Sequence, residues 1–167
     1  MRHAARATFV GPFAKLIQMT YCRFATILFG SATLVFSQTP ANWKTIHDKS
    51  GACQISVPAD WTVSKDLPNT ASAPADNGDV QLMSRPGKTL KPMSDMAQKA
   101  LMVDKMIQNT PQGVLFTNKP TQSDRPITPY NATAPGNNGT CVALISARSA
   151  VSEDTVKRMF ATLSASH

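Results

Sequence analysis

The chain has 167 residues, 42% of them hydrophobic and 7% aromatic, with 17 basic and 10 acidic side chains for a formal charge of +7. That length is one domain, large enough to bury a real core. The positive residues are scattered, without the dense stripe and stacking aromatics of a nucleic-acid surface, so nucleic acid is excluded as an expected partner.

Every charged residue before Gln38 is basic: Arg2, Arg6, Lys15 and Arg23. They precede the uninterrupted apolar run Phe24–Phe36, which ends at Ser37-Gln38. This layout predicts a signal peptide over residues 1–37, with Val35 and Ser37 at the −3 and −1 positions of the cut. Met19 is an alternative start to Met1. The run of 13 residues is shorter than the roughly 20 that a spanning helix needs, so no stable membrane span is expected after processing. No cysteine follows closely enough for a lipoprotein anchor, and Arg2 and Arg6 are not adjacent, as a twin-arginine leader would require. Removing the leader leaves 13 basic against 10 acidic residues, a charge of +3. Most of the basicity is thus targeting. The expected location is secreted or periplasmic.

The mature chain, residues 38–167, reads as a single α+β domain. Trp43–His47 is a predicted strand, Lys49-Ser50-Gly51 a turn, and Ala52–Val57 a second strand ended by Pro58, with Asp60–Val63 again extended. Within the second strand Cys53, Ile55 and Val57 alternate with Gln54 and Ser56, which puts the cysteine on the apolar face. Ser64–Gly78 is polar and is expected as a surface loop. Val80–Ser84 is the next strand. Ser94–Gln108 then places Met96, Ala97, Ala100, Leu101, Val103 and Ile107 in one stripe at helical spacing, with Asp95 in the first turn. Asp104 interrupts that stripe and has no place in it.

Gly113–Thr117 is a short apolar strand. Lys119–Asn138, with four prolines, is expected as loop, apart from an extended stretch at Pro126–Ala132. Pro129 would put that stretch at an edge or bulge. Thr140–Ala147 is apolar on both faces and suits a central strand, with Cys141, Ala143 and Ile145 on one side. The last element is a helix from Glu153 to about Ser164, capped by Ser152. Val156, Met159, Phe160 and Leu163 form its apolar face, with Phe160 expected to dominate. The order of strands and helices argues an antiparallel β-sheet with helices packed on it, not βαβ units.

After Cys22 goes with the leader, Cys53 and Cys141 remain, an even number in an exported chain. They are expected to form a disulfide. Without a Cys-x-x-Cys spacing, a catalytic dithiol is not expected. Two glycosylation patterns, at Asn131 and Asn138, fall in or beside the proposed loop. The sequence does not settle whether either is used.

The segment Gly51-Ala52-Cys53-Gln54-Ile55-Ser56-Val57-Pro58-Ala59-Asp60-Trp61 resembles the opening strand-Pro-x-x-Trp signature of the PsbP-like superfamily. That superfamily includes extrinsic photosystem II subunits, a Ran-binding nuclear import factor and many bacterial exported proteins. Its terminal amphipathic helix is similar to Val156–Leu163 here. The resemblance spans most of Trp43–Ser164, but the sharp part is those eleven residues. It implies an antiparallel sheet sandwiched by helices (a PsbP-like α/β/α sandwich) and no activity, because no functional residue of the known members matches a position in this chain.

No catalytic constellation stands out. His47 and His167 are the histidines of the mature chain, and there is no nucleophile elbow, Walker loop or dinucleotide fingerprint. No catalytic or cofactor-binding residue is therefore assigned, and no cofactor or metal is expected. Met93, Met96, Met102 and Met106 crowd one stretch, and thioethers are Cu(I) ligands. On a helix, however, Met93 and Met96 would lie on the apolar stripe and Met102 and Met106 on the opposite flank, so they would not converge on an ion. Met102 and Met106 instead mark a candidate partner surface. The expected function is that of an exported non-catalytic binding or accessory protein. Its partner would be an unknown protein or cell-envelope component. The alternative is a small-ligand carrier with a pocket between helix and sheet. An enzyme is the least favoured reading.

Overall fold

The computed structural model describes residues 42–166, so the expected signal peptide lies outside the described residues. Two antiparallel sheets face each other across the core. The smaller holds β1 (Trp43–His47), β2 (Cys53–Pro58) and, at the end of the chain, Ser164–Ala165, with β2 in the middle. The larger has seven strands. Its first three are β3 (Thr62–Val63), β4 (Thr70–Ser72) and β5 (Gly78–Pro86). After helix α1 (Asp95–Ala100) come β6 (Val103–Thr110), β7 (Gly113–Asn118), β8 (Thr128–Gly136) and β9 (Gly139–Ala147). Helix α2 (Glu153–Ala161) then leads into the last strand of the small sheet, β10. The order in the large sheet is β3-β4-β5-β9-β8-β7-β6.

The fold is thus α+β, mainly antiparallel, as its sequence predicts. β9 is the middle strand of the large sheet, paired along its whole length with β5 on one side and β8 on the other. Its Cys141, Ala143 and Ile145 are buried in the core. On its other face Val142 is covered, but Leu144 is 36% exposed, so the strand is closed completely on one side only.

Cys53, Ile55 and Val57 of β2 meet this core from the small sheet. The Cys53–Cys141 disulfide joins the two sheets, with a Cα–Cα distance of 5.5 Å. Beside it, Gly51 takes a left-handed φ of 72° in the β1–β2 turn, which glycine adopts without steric cost. The Asp48 carboxylate organises that turn. It accepts hydrogen bonds from the Cys53 N–H (2.8 Å), the Ser50 hydroxyl (2.6 Å) and the Ser84 hydroxyl of β5 (2.8 Å). The Pro58–Trp61 segment is also structural. Its ends are joined by a Trp61 N–H to Pro58 carbonyl bond of 3.1 Å, the Trp61 side chain is buried, and Lys44 donates to the Ala59 and Trp61 carbonyls.

α2 docks through three of its four expected residues, but Phe160 does not dominate. Val156 and Met159 are fully buried and Leu163 nearly so, whereas Phe160 is only half-buried. Thr162 completes the docking. Its hydroxyl donates to the Met159 carbonyl and accepts from the Ser56 N–H of β2.

Three sequence expectations need correction. The helix predicted over Ser94–Gln108 ends at Ala100, and Met102 turns the chain with a left-handed φ of 51°. From Val103 onward the chain is strand. β-branched Val103 and Ile107 favour that state, and β6 and β7 close a tight hairpin around Pro111-Gln112, from Thr110 to Gly113. Asp104 broke the helical stripe because it belongs to no helix; it is exposed on β6. Second, the extended stretch Pro126–Ala132, expected at an edge or bulge, belongs to a nine-residue internal strand that starts at Thr128 and runs to Gly136 through residues expected as loop. Its ladder with β7 covers Tyr130–Thr133, so Pro129 and Pro135 both lie outside it. Third, the expected loop Ser64–Gly78 contains β4 and a 3-10 turn at Pro74–Asp76.

Candidate binding surface

The large sheet carries one helix on each face. Leu82, Leu115, Ala132 and Ala143 align across the strands and share the core with Val156 and Met159 of α2. Their neighbours in sequence, Val114, Phe116 and Val142, point the other way by strand alternation, and on that outer face α1 is held.

Asparagines tie α1 down. Asn109 of β6 brackets Met93, its carbonyl oxygen accepting from the Met93 N–H (2.6 Å) and its amide donating to the Met93 carbonyl (2.9 Å). Asn118 of β7 donates to the Leu101 and Met102 carbonyls, which the short helix leaves unpaired. Asn131 of β8 supports Asn118 with a 2.7 Å bond. Sequence reading missed these three residues as a set. The clue was available only once the strands were in register, because each asparagine comes from a different strand. The same bond engages the amide that a glycan would need at Asn131, whereas Asn138 is exposed at the β8–β9 turn.

These tethers hold the backbone of α1 but bury little of it. No residue of the helix is buried, and Met96, Leu101 and Met102 are 81%, 50% and 77% exposed. Met96, expected on a core stripe, is therefore outside the core. Met102 is exposed in the left-handed turn. Met106 is half-buried on the outer face of β6 opposite Phe116. The two candidate partner residues thus flank one corner, although not as one helix flank.

β6 closes the large sheet on this side. Among the described residues no strand pairs with its outer edge. Its inner face borders a cleft of about 440 Å³ between the sheet and α2. Ile107, Leu115, Phe160 and Leu163 supply apolar walls, and Gln108, Gln112 and Lys157 polar ones. Phe160 lies against the hairpin glycine: a Cβ at Gly113 would stand 2.5 Å from its ring. At the far end Glu153 binds Lys105 of β6 at 2.7 Å and Lys157 at 2.9 Å. Hydrogen bonds from Lys105 and then Lys157 lower the Glu153 carboxyl pKa. Burial, then the charge of Glu153, raises that of the nearby Tyr130 phenol. This cluster clamps β6 to the start of α2.

Among the described residues, no group of histidine, cysteine and acidic side chains gathers elsewhere. A cavity of about 360 Å³ beside the disulfide is lined by Ser50, Cys53, Ser84, Arg85 and the β8–β9 turn, with no histidine or acid. His47 is exposed, and its Nδ1 meets the Ser166 hydroxyl at 3.1 Å. Among the described residues, no group of three or more histidine, cysteine or acidic side chains could hold a metal ion. Nor is any helix there long and apolar enough to cross a membrane. The disulfide is consistent with an oxidising extracytoplasmic compartment.

No family model matches the chain, and no curated protein sequence matches it. Its fold is similar to a crystal structure from Bacteroides thetaiotaomicron VPI-5482, with a TM-score of 0.54 and 13% sequence identity. The match covers 74% of this chain and 48% of that one, so this chain corresponds to about half of its structural relative. At that identity the likeness concerns the fold alone.

Proposed function

We propose that this chain is an exported, non-catalytic binding protein, an accessory component of the cell envelope or extracellular space that engages another protein. The observation that carries the reading is the α1–β6 corner. Three large apolar side chains within seven residues, Met96, Leu101 and Met102, are each at least half exposed, on a short helix and the turn after it, whose flanking backbone is nonetheless fixed by asparagines. Apolar side chains on a positioned frame suit a partner surface, and methionine adapts to varied contacts. The proposal includes a PsbP-like architecture, supported by the Pro58–Trp61 turn and by a sheet with a helix on each face.

A second reading, a small-ligand carrier, is favoured by the cleft between α2 and the sheet, whose walls mix apolar side chains with glutamines and a lysine. An enzyme finds less support, because His47 meets Ser166 and no acid.

A photo-crosslinking residue placed at Met102, in protein produced in its native host, separates these readings. The expected product is a discrete protein adduct that a probe at exposed Lys65 does not give. No adduct at Met102, together with a small molecule retained in the purified cleft, would replace the partner reading by the carrier.

A further inference from the structure

We infer that the partner binds as an extended peptide that adds an eighth strand to β6, with an apolar side chain in the cleft beside Phe160. The inference rests on the partner-binding reading and specifies the partner's chemistry.

The main chain supplies the first argument. An outermost strand presents backbone N–H and C=O groups without a ladder partner, and an extended chain is the ligand that satisfies a row of them. The other ends of the two sheets offer less. β3 and β10 are two residues long each. β1 has five residues, but none of them lines the cleft between α2 and the sheet. β6 has eight.

The shape of β6 locates the docking. Register shifts fall between Val103 and Lys105 and between Met106 and Gln108. Such bulges blunt an edge. Beyond the second shift, Gln108–Thr110 pair regularly with β7, so the straight part of the edge is the part that borders the cleft. Gln108 is also pinned there, its amide donating to the Thr110 hydroxyl and the Gly113 carbonyl.

The cleft supplies the second argument. Side chains of an added strand alternate between faces, so every second one would point toward α2. There the half-buried Phe160 and Ile107 offer apolar surface, and Ala161 stands at the rim. The opposite set would point to the outer face, toward Met106. Main-chain bonds would give affinity and the cleft would select a large apolar side chain at one alternate position.

The test uses random linear peptides displayed for selection against oxidised protein spanning residues 38–167. Selected peptides should share one large apolar position and slow amide exchange along Ile107–Thr110. N-methylation at alternate amides of a selected peptide should weaken binding at least about tenfold on one set of positions and hardly at all on the other. Ala161→Trp should weaken binding by a similar factor while retaining the wild-type unfolding midpoint. If that variant unfolds early, Gln112→Trp, in the exposed hairpin turn, serves instead. A selection that yields no binder at β6, or binders indifferent to both methylation sets, overturns the inference. The Met102 crosslink keeps the two claims apart. A protein adduct there without strand addition preserves the partner reading and removes only the peptide mode.

Discussion

The two helices begin alike and are held in opposite ways. Ser94 and Ser152 each accept a hydrogen bond from the N–H three residues on, at 3.3 Å and 3.1 Å, and acids follow both. α2 continues for nine residues and buries Val156 and Met159; α1 stops after six and buries none. A cap marks where a helix starts, and tertiary contacts decide how far it runs. The difference extends to their surroundings. α2 lies on the side of the core that contains the disulfide and the small sheet, and side-chain packing holds it. α1 is held by hydrogen bonds from asparagines to its backbone, which leaves its side chains outward.

The bridge should produce the largest contrast. Cys53→Ala with Cys141→Ala should lower stability by roughly 2–5 kcal/mol in denaturant melts. Unreduced wild-type protein should show no titratable thiol among its mature cysteines. Loss of less than about 1 kcal/mol would mean that the sheets hold together without the link.

Next comes the packing of the helices. Met159→Ala should cost about 2–5 kcal/mol through lost burial and the cavity left behind, whereas Met96→Ala should change stability by less than about 0.5 kcal/mol. Equal costs would erase the distinction between the helices. Phe160→Ala should fall between them, since its ring is half-buried against Gly113.

Acid tests the docked side by another route. Burial pushes the Asp48 carboxyl up, but hydrogen bonds from Ser50, Cys53 and Ser84 outweigh it and bring the pKa from 3.8 to about 2. A folded-state pKa below the unfolded one contributes stability above pH 3.8 that is lost as pH falls toward about 2. The contribution is on the order of 2 kcal/mol. Melts of wild type and Asp48→Asn across that window should converge at its acid end. A constant gap would show that the carboxylate's charge is not what the turn uses.

The smallest effects are local. Amide exchange in α1 should be faster than in α2, reflecting opening of the tethered segment alone. Lys157→Ala should leave the unfolding midpoint unchanged, because the side chain is 46% exposed and Lys105 still holds Glu153.

The same contrast explains what could be read from residues alone. Cys53, Ile55 and Val57 announced β2, and Cys141, Ala143 and Ile145 announced β9, because each strand alternates against one dense core. The C-terminal helix was legible for the same reason, although its periodicity could not rank Phe160 below Met159; that ranking depends on what lies opposite. Ser94–Gln108 failed because a six-residue helix followed by a bulged strand mimics one amphipathic period. The left-handed Met102 that separates them has no sequence signature. The asparagine tethers were invisible until register aligned Asn109, Asn118 and Asn131.

The placement of β2 also sets a timetable. β2 pairs early with β1, yet its partner across the core and the strand on its other edge come late. Cys53 waits 88 residues for Cys141, and its partner on the far edge is Ala165, in the last strand. β5 likewise waits for β9. Early segments of the chain therefore have no finished surface to settle on while synthesis proceeds, since distant pairings form only after the intervening chain exists. Late closure suits the proposed export, in which a chain crosses a membrane before it folds. The strand that completes the small sheet, β10, is also the last of the described strands to be made.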